Sequence, residues 1–129
     1  MRPRVLVVDD EENVAYLVAS ALRRAGLEVA TAATGEEALA ACTPASPDLV
    51  VLDVMLPDLD GFEVLRRLRL QPQTALIPCV ALSANAMPED IERALAAGFA
   101  DYWTKPIDFK VFLGALEARF PQSTSSLGR

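Results

Sequence analysis

A single α/β domain built on a parallel sheet is predicted by three features of the chain. Short apolar runs alternate with amphipathic stretches through most of its 129 residues. The central runs are continuous rather than alternating, the pattern of strands buried on both faces, and glycine and proline punctuate the joints. Alternating strands and helices put the helices on both faces of the sheet through right-handed crossovers. The length suits one core, and an apolar content of 52% can fill it. Residues 1–120 are expected to form the domain and residues 121–129, Ser-rich after Pro121, a C-terminal tail or linker.

The first strand is Val5-Leu6-Val7-Val8, which stops at Asp9-Asp10. Val14, Leu17, Val18, Ala21, Leu22 and Ala25 recur at helical spacing and predict an amphipathic helix closed by Gly26 beyond its last turn. A short strand at Val29 to Ala32 precedes the capping-box pattern Thr34-Gly35-Glu36-Glu37, which opens a helix through Ala38-Leu39-Ala40-Ala41. Pro44 and Pro47 mark the loop into Leu49-Val50-Val51-Leu52, the expected central strand, which stops at Asp53. The turn Pro57-Asp58-Leu59-Asp60-Gly61 leads to a helix with Val64, Leu65 and Leu68 inward and Arg66, Arg67 and Arg69 as a solvated face. Pro78 opens the strand Val80-Ala81-Leu82, which stops at Ser83. Pro88 suits the first turn of the next helix, which runs through Leu95 and is capped by Gly98. Asp101-Tyr102-Trp103-Thr104 is the last strand, stopping at Lys105, and Trp103 faces away from Tyr102 toward the core. Phe109, Phe112, Leu113, Leu116 and Phe120 form the inward stripe of a final helix ended by Pro121.

Composition removes several function classes. A net charge of -6 and a pI near 4.6 disfavour direct nucleic-acid binding, which rests on Lys and Arg neutralising phosphates. The absence of histidine removes His-based acid/base catalysis and His-ligated zinc. No apolar stretch approaches the length of a membrane span, and Met1-Arg2-Pro3-Arg4 leads straight into a strand, so a cytoplasmic protein is expected. Cys42 and Cys79 have neither metal nor redox spacing and are read as reduced structural thiols.

The carboxyl ends of adjacent parallel strands open onto one crevice, where open α/β sheets bind ligands. Here those ends carry Asp9 and Asp10, Asp53, Ser83 and Lys105. Taken singly, each has an ordinary explanation: a solvated strand end, loop chemistry, a helix cap, a surface lysine. Their occurrence in order at successive strand ends points to one site. Crowded carboxylates either take up protons or recruit a cation, and an all-oxygen, solvent-facing site suits Mg²⁺. Asp53, alone at the end of the central strand, is the candidate nucleophile toward phosphorus, Lys105 the mobile positive charge, and Ser83 the hydroxyl that bonds a phosphoryl oxygen. Of twelve basic residues only Lys105 and Lys110 are lysine, so an ammonium at this place is a selective choice.

Over residues 4 to 119 the chain resembles the receiver domain of bacterial two-component response regulators. The match is carried by Val5-Leu6-Val7-Val8-Asp9-Asp10-Glu11, by Leu52-Asp53-Val54-Met55-Leu56-Pro57-Asp58-Leu59-Asp60-Gly61, by Leu82-Ser83-Ala84-Asn85-Ala86 and by Tyr102-Trp103-Thr104-Lys105-Pro106. The resemblance implies a flavodoxin-like (βα)5 sheet in strand order 2-1-3-4-5. It implies Asp53 phosphorylated by a histidine kinase or histidine phosphotransfer protein, in a switch that is not a classical enzyme but promotes its own phosphorylation and slow dephosphorylation. Asp10, Asp53 and the main-chain carbonyl of Met55 would ligate Mg²⁺ directly and Asp9 through water, with Lys105 on the acceptor and phosphoryl oxygens. A cis Lys105–Pro106 bond is also implied. Switching would draw Ser83 toward the phosphoryl group and let the Tyr102 ring rotate inward. That would alter the face formed by the fourth helix, fifth strand and fifth helix.

Two other functions compete. A magnesium-dependent aspartyl-phosphate phosphatase resembling the haloacid dehalogenases needs a second Asp two places after the nucleophile, where this chain has Met55. A phosphate-independent receiver-like interaction module is favoured when acceptor or lysine is lost, and Asp53 and Lys105 are both present. The first half resembles receivers that precede DNA-binding domains, and the second half resembles receivers of hybrid sensor kinases, so the effector is unknown. Asp101 and Arg119 match part of the charged set of dimerising winged-helix regulators, which implies a phosphorylation-dependent homodimer. By the same resemblance Met55 and Asn85 would flank the path of the hydrolytic water, which an apolar Met55 cannot orient. Slow self-hydrolysis is therefore expected: Met55→Asn should speed loss of the phosphoryl group in a time course of intact mass, and an unchanged or slower rate would contradict this.

Overall fold

The computed structural model describes residues 2–42, 46–85, 87–106, 108, 110, 114, 117 and 118. Pro44, the Phe109, Phe112, Leu113, Leu116 and Phe120 stripe, Arg119, Pro121 and the tail lie outside the described residues. Five strands, β1 (Arg4–Val8), β2 (Glu28–Ala32), β3 (Leu49–Asp53), β4 (Cys79–Ser83) and β5 (Asp101–Thr104), form one parallel sheet in the order β2-β1-β3-β4-β5. Four described helices connect them: α1 (Glu12–Arg24), α2 (Gly35–Cys42), α3 (Gly61–Leu70) and α4 (Pro88–Ala97). This is the flavodoxin-like fold, and every residue of β3 and β4 is buried, as continuous apolar strands require.

The alternation of side chains along a strand divides the core into two layers. Leu6, Val8, Val50, Leu52, Cys79 and Ala81 pack with Ala38 of α2, Val64, Leu65 and Leu68 of α3, and Ala94 of α4. Val5, Val7, Leu49, Val51, Val80, Leu82 and Trp103 pack on the other face with Val18 and Leu22 of α1. Trp103 is therefore a core residue, as its strand parity predicts. Cys42 and Cys79 are buried free thiols, with burial pushing both up, Cys79 to about 11.

The expected caps are in place, with adjustments. Gly26 and Gly98 adopt φ of 91° and 114°, the left-handed region that ends α1 and α4 without the steric cost of a Cβ. Thr34 Oγ1 accepts the Glu37 N–H at 3.1 Å, while Glu37 returns its bond to the Ala33 N–H at 2.8 Å, one residue upstream of an ideal capping box. The face buried by α1 is Ala15, Val18, Ala19 and Leu22; Leu17, placed on the inward stripe by its spacing, is 54% exposed. Ala15 and Ala19 are buried together with Val18 and Leu22, and Leu17 lies on the outer side of the helix. The arginines of α3 are tethered more than a solvated face requires. Glu63 accepts from both Arg66 and Arg67, Arg67 approaches Glu36 of α2 at 3.5 Å, and Arg69 donates to the Ile77 carbonyl at 2.7 Å. Arg66, then Arg67, hold the Glu63 carboxyl down at about 2.

Among the described residues no helix is long and apolar enough to cross a membrane. The α1 packing makes a paired prediction for urea unfolding: Leu22→Ala should cost about 2–5 kcal/mol through loss of a buried side chain, and Leu17→Ala should stay within about 0.5 kcal/mol. Comparable losses at both positions would restore the face drawn from spacing alone.

Candidate functional site

Strand register assembles the site. Val8 pairs with Leu52, so Asp9, the next residue, stands beside Asp53 at the end of β3. Ser83 pairs with Thr104, so Lys105 emerges beside the end of β4, where its own N–H donates to the Ser83 carbonyl at 2.8 Å. The Lys105–Pro106 peptide is cis. One carboxylate oxygen from each of Asp9, Asp10 and Asp53 lies within 4.8 Å of the others. Asp10 is exposed at the mouth, while Asp9 and Asp53 are buried at 2% and 4% exposure.

Lys105 is the counter-charge. Its Nζ lies 2.9 Å from Asp9 Oδ2, 3.0 Å from Asp53 Oδ2 and 3.3 Å from Glu11 Oε1. Burial by itself would lower the Lys105 ammonium, but the close approach of Asp9 and Asp53 outweighs it and holds the group raised, so it stays charged. Burial pushes the Asp53 carboxyl up and the Asp9 charge adds to this; the Met55 N–H and Lys105 pull the other way without cancelling it. Asp53 Oδ1 accepts the Met55 N–H at 2.8 Å, and Asp9 Oδ1 accepts the Glu11 N–H at 2.9 Å. Asp9 Oδ2 is different: close to Lys105, it is nevertheless a buried oxygen without an aligned hydrogen bond. Clustered carboxylate oxygens of like charge, one of them buried with the Lys105 ammonium as its close partner, fit a hard cation with oxygen ligands.

The remaining predicted residues line the same crevice, an opening of about 450 Å³ bordered by Asp10, Met55, Ser83, Asn85, Arg93 and Tyr102. Ser83 is buried, and its Oγ accepts the Asn85 N–H at 3.1 Å. The Tyr102 hydroxyl donates to the Asn85 carbonyl at 2.6 Å, while its ring packs against the α2–α3–α4 side of the core. The Met55 side chain is 71% exposed at the rim. Reasoning from residue pattern missed two members. Glu11 reaches Lys105, signalled only by a third acid after Asp9-Asp10; Arg93 lies 4.3 Å from the centroid of the Phe62 ring, which no local pattern marks.

Comparison with known proteins gives the class. The family model for the response regulator receiver domain matches residues 5–117, and the chain belongs to that family. It is 46% identical over 106 residues to the alkaline phosphatase synthesis transcriptional regulatory protein PhoP of Bacillus subtilis, a match covering 82% of this chain and 43% of that protein. Among solved structures it is similar to a putative response regulator from Chloroflexus aurantiacus, with 34% identity, a TM-score of 0.86 and coverage of 92% of this chain and 97% of the other. It is similar also to the chemotaxis protein CheY4 of Vibrio cholerae, with 34% identity, a TM-score of 0.84 and coverage of 92% and 98%. The chain spans about half the length of the first curated relatives it matches.

The raised Asp53 has a consequence for stability with sign. A carboxyl whose folded value is raised stabilises the fold below its ordinary range, and that contribution is lost as pH rises through the folded value. In EDTA at pH 7, Asp53→Asn should therefore unfold at higher urea than the wild type, and the gap should shrink as pH falls into the ordinary carboxylate range. A variant no more stable than wild type at pH 7 would show that Lys105 fully compensates the buried charge.

Proposed function

We propose that this chain is a phosphoacceptor switch in which Asp53 takes a phosphoryl group from a histidine kinase or histidine phosphotransfer protein. The observation that carries the reading is the buried Asp53 carboxylate held 3.0 Å from the Lys105 ammonium at the carboxyl end of the central strand. An Asp53 oxygen attacks phosphorus, the bond from phosphorus to the donor's nitrogen breaks, and the donor leaves with its electron pair and takes a proton. Lys105, already charged, moves from carboxylate to phosphoryl oxygens as negative charge shifts outward. Ser83 turns its hydroxyl from the Asn85 N–H to the new phosphoryl oxygen.

Mg²⁺ is the cation that the donor set fits best: Asp10, Asp53 and the Met55 carbonyl would hold it directly and Asp9 through water. When bound it supplies charge neutralisation at the transferring oxygens. Movement of Ser83 loosens the packing beneath Tyr102, so ring position couples the site to the surface of α4 and β5, where an effector or a second copy would bind. Met55 and Asn85 at the rim set access for hydrolytic water. The domain comprises residues 1–120, with 121–129 as a C-terminal tail or linker, in a cytoplasmic protein. Several relatives are named as transcriptional regulators, which supports a gene-regulatory output through a separate nucleic-acid-binding domain rather than through this acidic chain.

The decisive experiment is intact mass after incubation with acetyl phosphate and MgCl₂. Wild type should gain one phosphoryl group and lose that gain in EDTA, and Asp53→Asn should gain none. A gain surviving in Asp53→Asn would move the acceptor to another carboxylate; no gain in wild type, together with partner binding unchanged by Asp53→Ala, would favour the phosphate-independent module.

A further inference from the structure

The loop from Val54 to Asp60 carries the Met55 carbonyl, and its shape is set by contacts that lie away from the acceptor. At its base the Gly61 N–H donates to the Val54 carbonyl at 2.9 Å. A Cβ on Gly61 would meet Val54 Cα at 2.7 Å and the Asp53 carbonyl oxygen at 2.8 Å, so the loop ends close tightly only because that residue is glycine. At its start the Met55 N–H donates to Asp53 Oδ1. Its tip is fastened to another helix: Asp58 Oδ1 accepts the Gly35 N–H at 2.8 Å and Oδ2 accepts the Glu36 N–H at 3.0 Å, across more than twenty residues of sequence. Asp58 thus satisfies two of the free N–H groups at the start of α2 from outside that helix. Gly35 lets the two segments approach, since a Cβ there would meet Leu59 Cβ at 2.8 Å. The Gly35 N–H, then that of Glu36, keep the Asp58 carboxyl below its usual range against a smaller cost of desolvation, so it accepts both bonds at neutral pH.

We propose that Asp58 is a positioning residue for the metal: by bridging the loop tip to the first turn of α2, it holds the backbone of residues 54–60 so that the Met55 carbonyl faces the carboxylate cluster. The Met55 side chain, largely exposed, does little to hold its own peptide. Leu56 and Leu59 pack on the core, but apolar contacts tolerate rotation of a peptide plane, whereas two directed hydrogen bonds from a fixed helix end do not. The first turn of α2 and the metal site are thereby coupled. The inference rests on the magnesium reading above.

The test is calorimetric titration of metal-free protein with MgCl₂, read beside circular dichroism, for wild type, Asp58→Ala, Asp58→Asn and Thr34→Ala. Thr34→Ala removes the Oγ1 cap on the Glu37 N–H of the same helix and leaves the loop tether intact. Asp58→Ala should weaken Mg²⁺ binding about tenfold, the scale of losing an outer partner of a metal ligand. Asp58→Asn, with one acceptor oxygen left, should fall between, and Thr34→Ala should bind as wild type. Wild-type affinity in Asp58→Ala, or in Asp58→Asn if the alanine variant does not fold, overturns the proposal. Equal weakening by Thr34→Ala also overturns it, since helix stability alone would then account for the loss. Absence of binding by wild type itself overturns the magnesium reading and this inference together, a result distinct from the others.

Discussion

Two carboxylates buried side by side at the ends of adjacent strands are the constraint around which this fold is arranged. Asp9 and Asp53 have lost nearly all contact with water, and like charges at such separation disfavour one another strongly where the dielectric is low. Lys105 offsets part of this, reaching both at ion-pair distance, yet burial still leaves Asp53 raised. Breaking a buried pair leaves an uncompensated charge, so the three side chains depend on one another more than on any other neighbour. The residual frustration marks this edge as a candidate functional site, because strongly perturbed titratable groups gather at such sites.

Such a cluster needs a rigid frame, since side chains free to move would separate. The frame is the sheet, whose central strands are buried on both faces and locked in register by their ladders. Parallel pairing makes all strands end at the same edge, so that edge is where polar residues gather while the bodies of the strands stay apolar. The described helices pack against the two faces of the sheet, α1 on one and α2, α3 and α4 on the other. The polar tethers of Glu63, Arg67, Arg69 and Asp58 join helices and loops beneath the site.

Much of the fold was legible in the chain because the signals were local. Continuous apolar runs marked the strands, and Gly26 and Gly98 marked helix ends whose left-handed backbone follows from the residue type. The buried stripes of α3 were read correctly because Val64, Leu65 and Leu68 are large. For α1 the spacing places Val18, Leu22 and Ala25 correctly and Val14 and Ala21 at the edge of the core, but it misplaces Leu17 and passes over Ala15 and Ala19, whose small size carries almost no periodic signal. The chemistry at the strand ends was legible for a related reason: polar residues that interrupt apolar strands stand out. The pairing of Glu11 with Lys105 and the bond of Asp58 to α2 did not, because acids near helix starts and in turns are commonplace.

The sequence by itself therefore determined the class of fold, the edge at which polar residues collect and the identities of the acids, hydroxyl and ammonium. It could do so because periodicity and turn chemistry act within a few residues of one another. Only the tertiary structure decided which carboxylate oxygens meet, which of them is buried without an aligned hydrogen bond, and that Lys105 spans Asp9, Asp53 and Glu11. Those relations join residues separated by as many as 96 positions, from Asp9 to Lys105, and distance along the chain becomes proximity only when strand register and helix packing are set together.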